Sequence, residues 1–106
     1  MGDINQTAAI TNLKFYKRDG LNTCTMQFGF DVSSYSFNGA IVPKTGSIVQ
    51  LTIDDSDAAN GNIDFSASAL SVAGLSTGKI GSWYMQWVDP DGEPLTIYTG
   101  SVEVLE

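Results

Sequence analysis

The chain predicts an all-β fold: a small antiparallel β-sandwich of immunoglobulin-like or related type, with a small β-barrel as the alternative. Three observations lead there. Short apolar runs alternate with polar residues at period two, turn-forming residues punctuate them at regular spacing, and only one short segment carries helical spacing. At 106 residues the chain is one domain. A domain of this size buries roughly two-thirds of the surface of its unfolded chain, so it stands without disulfide or metal staples.

Residues 1–9 are small and polar and are expected to form an N-terminal arm, with residues 10–106 making the sandwich domain. A first strand is expected at 10–17, where Ile10, Leu13 and Phe15 supply the apolar content, followed by a turn over Arg18–Asn22. The clearest alternation runs over 23–31. Cys24, Met26, Phe28 and Phe30 face inward, and Thr23, Thr25, Gln27 and Gly29 face water. Residues 32–39, Ser-, Asn- and Gly-rich around Tyr35 and Phe37, read as a loop or irregular edge before a short strand at Ala40–Val42. Ile48–Ile53 reads as one strand with Val49, Leu51 and Ile53 on one face, and Asp54–Asn62 as a polar loop in which Asn60 and Gly61 make a hairpin turn. Ile63 and Phe65 begin a short strand, and Ser68–Leu75 holds one or two helical turns.

The chain closes on a hairpin over 80–105. Asp89-Pro90-Asp91-Gly92 is its turn: proline presets φ, aspartate bonds its own backbone and glycine accepts positive φ. Gly100 reads as a bulge. The strand before the turn is apolar on both faces, with Trp83, Met85 and Trp87 pointing one way and Tyr84 and Val88 the other. A strand that seeks burial on two sides, in so small a chain, points to packing against a partner. Trp83, Tyr84, Met85, Trp87 and Tyr98 are therefore the candidate protein interface. The alternation leaves open which face is core and which is interface.

Composition narrows the function. The net charge is −7, from five basic and twelve acidic residues, which argues against nucleic-acid binding. Lys14, Lys17 and Arg18 cluster, as a solvated strand end does. Only 16% of residues are charged, so the surface is built largely from Ser, Thr, Asn, Gln and Gly. No run approaches the ~18 apolar residues of a membrane helix, and no membrane partner is expected. The N-terminus lacks the basic and apolar regions of a signal peptide, and a single cysteine makes no intrachain disulfide, so folding in a cytoplasm is expected.

Chemistry is expected to be absent. There is no histidine, and Cys24 is alone, so nucleophile–histidine pairs and zinc or iron–sulfur sites are not expected. Gly78-Lys79 lacks the spacing of a phosphate-binding loop. The acidic stretch Asp54–Asp64 fails as an EF-hand: a loop beginning at Asp55 meets Ala59 and Asn60 where Asp or Asn and then Gly belong, and Ser66 where the bidentate Glu belongs. The remaining carboxylates sit in turns. No catalytic residue, cofactor or metal ligand is assigned, and the chain is not expected to be an enzyme. The aromatic strand with Tyr35, Tyr84 or Tyr98 nearby admits a sugar-stacking platform, so a carbohydrate-binding adhesion module is the alternative from another class.

One stretch resembles a recurrent pattern of bacteriophage virion proteins. Its parts are Leu75–Gly78, the aromatic strand Trp83–Val88, the turn Asp89–Gly92 and the ending Gly100-Ser101-Val102-Glu103-Val104. It is similar to the N-terminal β-sandwich of phage upper-baseplate proteins and to related modules of head and tail fibres. The resemblance implies a compact anchor on a virus particle, followed in the family by a coiled coil or receptor-binding region. Here Glu106 follows directly, which shifts the expectation toward a capsid cement or decoration protein present in many copies, with a tail or baseplate adaptor as the alternative. The implied partners are other virion proteins, capsid or tail subunits, and the chain itself. On this reading Trp83→Ala or Trp87→Ala leaves a folded monomer that no longer enters particles.

Overall fold

A computed structural model describes residues 9–106; most of the expected arm, residues 1–8, lies outside the described residues. The described residues form nine strands: β1 (Ala9–Ile10), β2 (Leu13–Tyr16), β3 (Leu21–Gln27), β4 (Ser36–Pro43), β5 (Val49–Gln50), β6 (Thr52–Asp54), β7 (Asn62–Ala67), β8 (Gly78–Val88) and β9 (Pro94–Leu105). The larger sheet runs β1-β9-β8-β4-β5, with β2 also on β9, and the smaller runs β3-β7-β6. The two sheets pack face to face as a small all-β sandwich. Between them lie Val32, Ile41, Ile63, Trp83, Met85, Val102 and Val104, all at most 1% exposed. Among the described residues the one α-helix, α1 (Ala69–Val72), is a single turn capped by Ser68, whose Oγ accepts from the Ser71 amide at 3.1 Å.

The β8–β9 hairpin is the spine of the larger sheet. Asp89 organises its turn: the carboxylate accepts from the amides of Asp91 and Glu93, each at 2.9 Å, while Gly92 takes φ +87°. Strand alternation then directs Trp83 and Met85 inward and Ser82, Tyr84 and Gln86 to the opposite face.

Several elements differ from the sequence expectation, each for a local reason. The segment 32–39 is not all loop: β4 begins at Ser36 and pairs with β8 along its length. Its polar residues are those of a face away from the core, and Gly39 is there because a Cβ would lie 2.7 Å from the Tyr84 carbonyl oxygen. The expected strand 48–53 is two strands in two sheets. At Leu51 the amide still bonds the Gly39 carbonyl of the larger sheet (2.9 Å), and at Thr52 the chain pairs with Ser66 of the smaller. β3 stops at Gln27, where the following Gly29 takes φ +75° and turns the chain, so Phe30 does not face the core as expected and stands 47% exposed.

The first strand joins β9 in parallel, against the antiparallel grain of the remaining ladders. Its register is constant across the break at Thr11–Asn12, with Ala9 opposite Tyr98 and Leu13 opposite Val102. Side chains fill that break: the Trp83 indole N–H donates to the Thr11 carbonyl at 2.6 Å, and Asn12 Oδ1 accepts from the Ser101 amide at 3.0 Å. Gly100 sits against this break and is not a bulge. The register shifts of the hairpin fall at Lys79/Gly81 and Met85/Gln86. Gly100 instead admits the backbone of Thr11, whose oxygen would lie 1.9 Å from a Cβ there.

Candidate interaction surface

The five candidate interface residues lie in four different environments. Trp83 is 1% exposed and stacks on Phe65 (centroids 5.4 Å apart, 22° between planes), and Met85 is 0% exposed. Neither side chain is available to a partner, because both complete the core. Tyr84 stands on the outer face of the larger sheet, half-buried, in one row with Ala40 and Thr99. Tyr98 lies parallel to Trp83 (6.4 Å, 12°) at the lip of a small apolar recess. Trp87 is half-buried at the end of β8 and anchors an aromatic cluster.

That cluster is the most distinctive surface of the molecule. Trp87 packs on Tyr35 (4.8 Å), Phe28 (5.7 Å), Phe37 (6.3 Å) and Phe30 (6.5 Å). Phe28 follows β3, Phe30 and Tyr35 come from the β3–β4 connection, and Phe37 opens β4. Phe28, expected to face inward, packs against the core as a partly buried ring; Phe30, expected to do the same, stands exposed, and Phe37, expected in a loop, lies on β4. The available signal was density: four aromatics in the ten residues 28–37, next to a strand ending in Trp87.

The connection that carries Phe30 is pinned to the smaller sheet. Val32, 0% exposed, is its plug, and the Val32 amide donates to the Ala58 carbonyl at 3.0 Å. The Phe28 amide donates to the Gly61 carbonyl at 2.8 Å, and Gly61 has no room for a Cβ, which would sit 2.6 Å from the Phe30 oxygen. Asp31 closes the connection by accepting from the amide and hydroxyl of Ser33 (2.8 and 2.6 Å), which holds its pKa below the ordinary carboxylate value.

The supporting loop 54–62 is the expected hairpin connection, with Gly61 at φ +82° closing a short 3₁₀ turn over Ala58–Asn60. Its carboxylates serve turn geometry. Asp57 accepts from Asn62 Nδ2 and Asn60 Nδ2, each at 2.6 Å, and these bonds lower its pKa. Among the described residues no group of three or more Asp, Glu, Cys or His side chains could hold a metal ion. A carboxylate whose pKa is lower folded than unfolded lends stability above its unfolded value and loses it as the pH falls through the folded one. Asp57→Ala is therefore expected to speed hydrogen exchange at the Val32 and Phe28 amides at neutral pH, with the difference from wild type closing in acid. NMR exchange rates at two pH values check this.

Chemically, the surface offers tilted aromatic edges and faces. Neighbouring rings lie 38–76° apart in plane, so the cluster has no common flat platform. Such relief suits insertion into, or cover by, an apolar protein surface more than stacking along a sugar chain. Compared with known proteins, the chain matches no family model and no curated relative.

Proposed function

We propose that this chain is a bacteriophage virion structural protein, a small sandwich that packs in many copies on the particle as a capsid cement or decoration protein. It acts through buried area and not through chemistry. The observation that carries the reading is the pinned connection holding Phe30 half-exposed beside Trp87: a large apolar side chain kept at the surface on an ordered support. The resemblance of the β8–β9 hairpin to phage virion modules supports the setting. Docking of this kind buries on the order of 1,200–2,000 Å², and the aromatic end and the outer face around Tyr84 are the surfaces proposed to contribute to it. A tail or baseplate adaptor uses the same contacts at another location on the particle.

Phe30→Ser tests the reading. Exposed as it is, the residue adds little to the core, so the variant is expected to melt close to wild type. Its incorporation into particles is expected to drop about tenfold or more, as for a central interface residue. Quantitative gels of purified particles measure this, and microscopy with labelled chain separates head from tail. Undiminished incorporation overturns the surface assignment. Absence of the wild-type chain from particles overturns the virion reading, and saturable glycan binding by a monodisperse monomer replaces it with the adhesion alternative.

A further inference from the structure

β3 is an outer strand of the smaller sheet, and among the described residues no strand pairs with its outer side. Its ladder to β7 fixes the direction of its backbone groups. The Phe28 amide donates to the Gly61 carbonyl at 2.8 Å, and the register sets Met26 opposite Ile63 and Cys24 opposite Phe65. Cys24, Met26 and the Phe28 amide therefore turn to β7. The amides of Thr25 and Gln27 and the carbonyls of Thr23, Thr25 and Gln27 turn outward.

This edge is long, neutral and open. Leu21–Gln27 holds no charged residue and no proline, the usual guards of a free edge, although the chain carries −7 overall. The other outer strand of the same sheet, β6, is three residues long and ends in Asp54. Beside β3 lie a recess of about 160 Å³, lined by Leu13, Cys24, Met26 and Trp83 among others, and an opening of about 300 Å³ between β2 and the Leu21 end of β3. A free backbone edge beside an apolar recess accepts another strand.

We propose that this strand is β3 of a second copy, paired antiparallel about a two-fold axis at Thr25, so that two smaller sheets become one continuous sheet. The inference goes beyond the virion reading and stands without it. The edge is complementary to itself in this register. Thr25 exchanges two bonds with Thr25 of the second copy, and each Gln27 amide meets the Thr23 carbonyl across the axis, about four main-chain bonds in all. An axis at Cys24 would set Gln27 opposite Leu21, beyond the bulge, and an axis at Met26 would set Thr23 opposite Gly29, where φ is +75° and the chain turns. About Thr25, Cys24 of each copy stands opposite Met26 of the other on the inward face, which closes the recess with apolar side chains. Charge favours the same direction. Lys17 and Arg18, with Asp19 beside them, flank the Leu21 end of β3, and Asp31 and Asp57 lie toward its Gln27 end. Antiparallel pairing brings the basic residues of one copy toward the acidic end of the other, and the neutral strands meet without like charges face to face.

Introduced cysteines test the register in a chain whose single cysteine is removed by Cys24→Ala. Thr25→Cys, oxidised in air, is expected to form a disulfide-linked dimer, because a hydrogen-bonded pair facing across the axis has Cα atoms about 5.5 Å apart, within disulfide reach. Thr23→Cys alone and Gln27→Cys alone are expected to run as monomers on non-reducing gels, since each lies about 13 Å along the strand from its own copy. A mixture of those two variants is expected to crosslink. The native chain is expected to sediment as a monomer–dimer equilibrium that shifts with concentration. Thr25→Lys sets two like charges face to face on the axis, while Asp64 stands opposite it within the monomer. It is expected to keep the far-UV dichroism of the native chain and to weaken dimerisation about tenfold or more. A native chain that is monomeric at every concentration, Thr23→Cys crosslinking alone as readily as Thr25→Cys, or folded Thr25→Lys dimerising like the native chain overturns the proposal.

Discussion

Trp83→Ala is expected to cost about 3–5 kcal/mol of stability, the range for removing a buried large aromatic from a core. Three losses combine. The cavity opens between the two sheets where the indole stacks on Phe65 and lies parallel to Tyr98. The indole N–H no longer bonds the Thr11 carbonyl, leaving Asn12 Oδ1 on the Ser101 amide as the other side-chain tie at the break between β1 and β2. The edge strand then loses one of its anchors at the point where its ladder is already interrupted. For a domain whose total stability is on the order of 5–15 kcal/mol, this is a large share. The melting midpoint should fall by roughly 15–30 °C, measured by calorimetry or far-UV dichroism. Trp83→Phe keeps most of the stacking and gives up the hydrogen bond, so it should lose only about 1–2 kcal/mol. The variant that sequence reading expected to leave the fold intact and affect only assembly is therefore a folding variant, since Trp83 is core.

Gly100→Ala is expected to be the second large effect, out of proportion to the single methyl it adds. The new Cβ would fall 1.9 Å from the Thr11 oxygen and 2.6 Å from its carbonyl carbon, both backbone atoms that no rotamer change can move aside. Either β1 and β2 shift off β9 or β9 bends, and strain of this type costs typically about 1–3 kcal/mol. Gly74→Ala is the control: a Cβ there meets nothing within 4 Å and φ is not positive, so stability should hold or rise slightly. In Gly100→Ala the Thr11 amide, which bonds the Thr99 carbonyl at 2.8 Å, should exchange much faster, while amides in the smaller sheet should change little. Equal stability of the two alanine variants would show that the edge strand adapts freely.

These two positions also mark what the chain's pattern can and cannot convey. The period-two alternation at Trp83, Met85 and Trp87 was legible, because side-chain direction is a local consequence of the pleat. Which face met the core was not, since both faces carry aromatic residues. Gly100 was legible as a special position and misread in kind: the sequence marks where a side chain is excluded, and the excluding group, Thr11, arrives from the other end of the chain. The same holds for Val49, Leu51 and Ile53. Their alternation is real and continuous, and nothing local records that the chain leaves one sheet for the other at Leu51. Ser36 to Gly39 was read as loop because its residues are small and polar, yet pairing with β8 makes it a strand. For the surface, the density of rings in 28–37 was visible. Their convergence on Trp87 depends on the pairing of Phe37 with Trp87 across β4 and β8.

The parallel ladder between the first strand and β9 has a consequence for how the molecule is made. Leu13 meets Val102 and Phe15 meets Val104, so this ladder joins the first and last strands of the sandwich. No part of it can form before β9 has been made, and the loop it closes takes in every strand between them. The inner hairpins can assemble earlier, but the sandwich is sealed only when β9 arrives. Until then β2, carrying the buried Leu13 and Phe15, has no partner strand. Each newly made molecule therefore passes through a short interval in which an apolar edge is open to its neighbours.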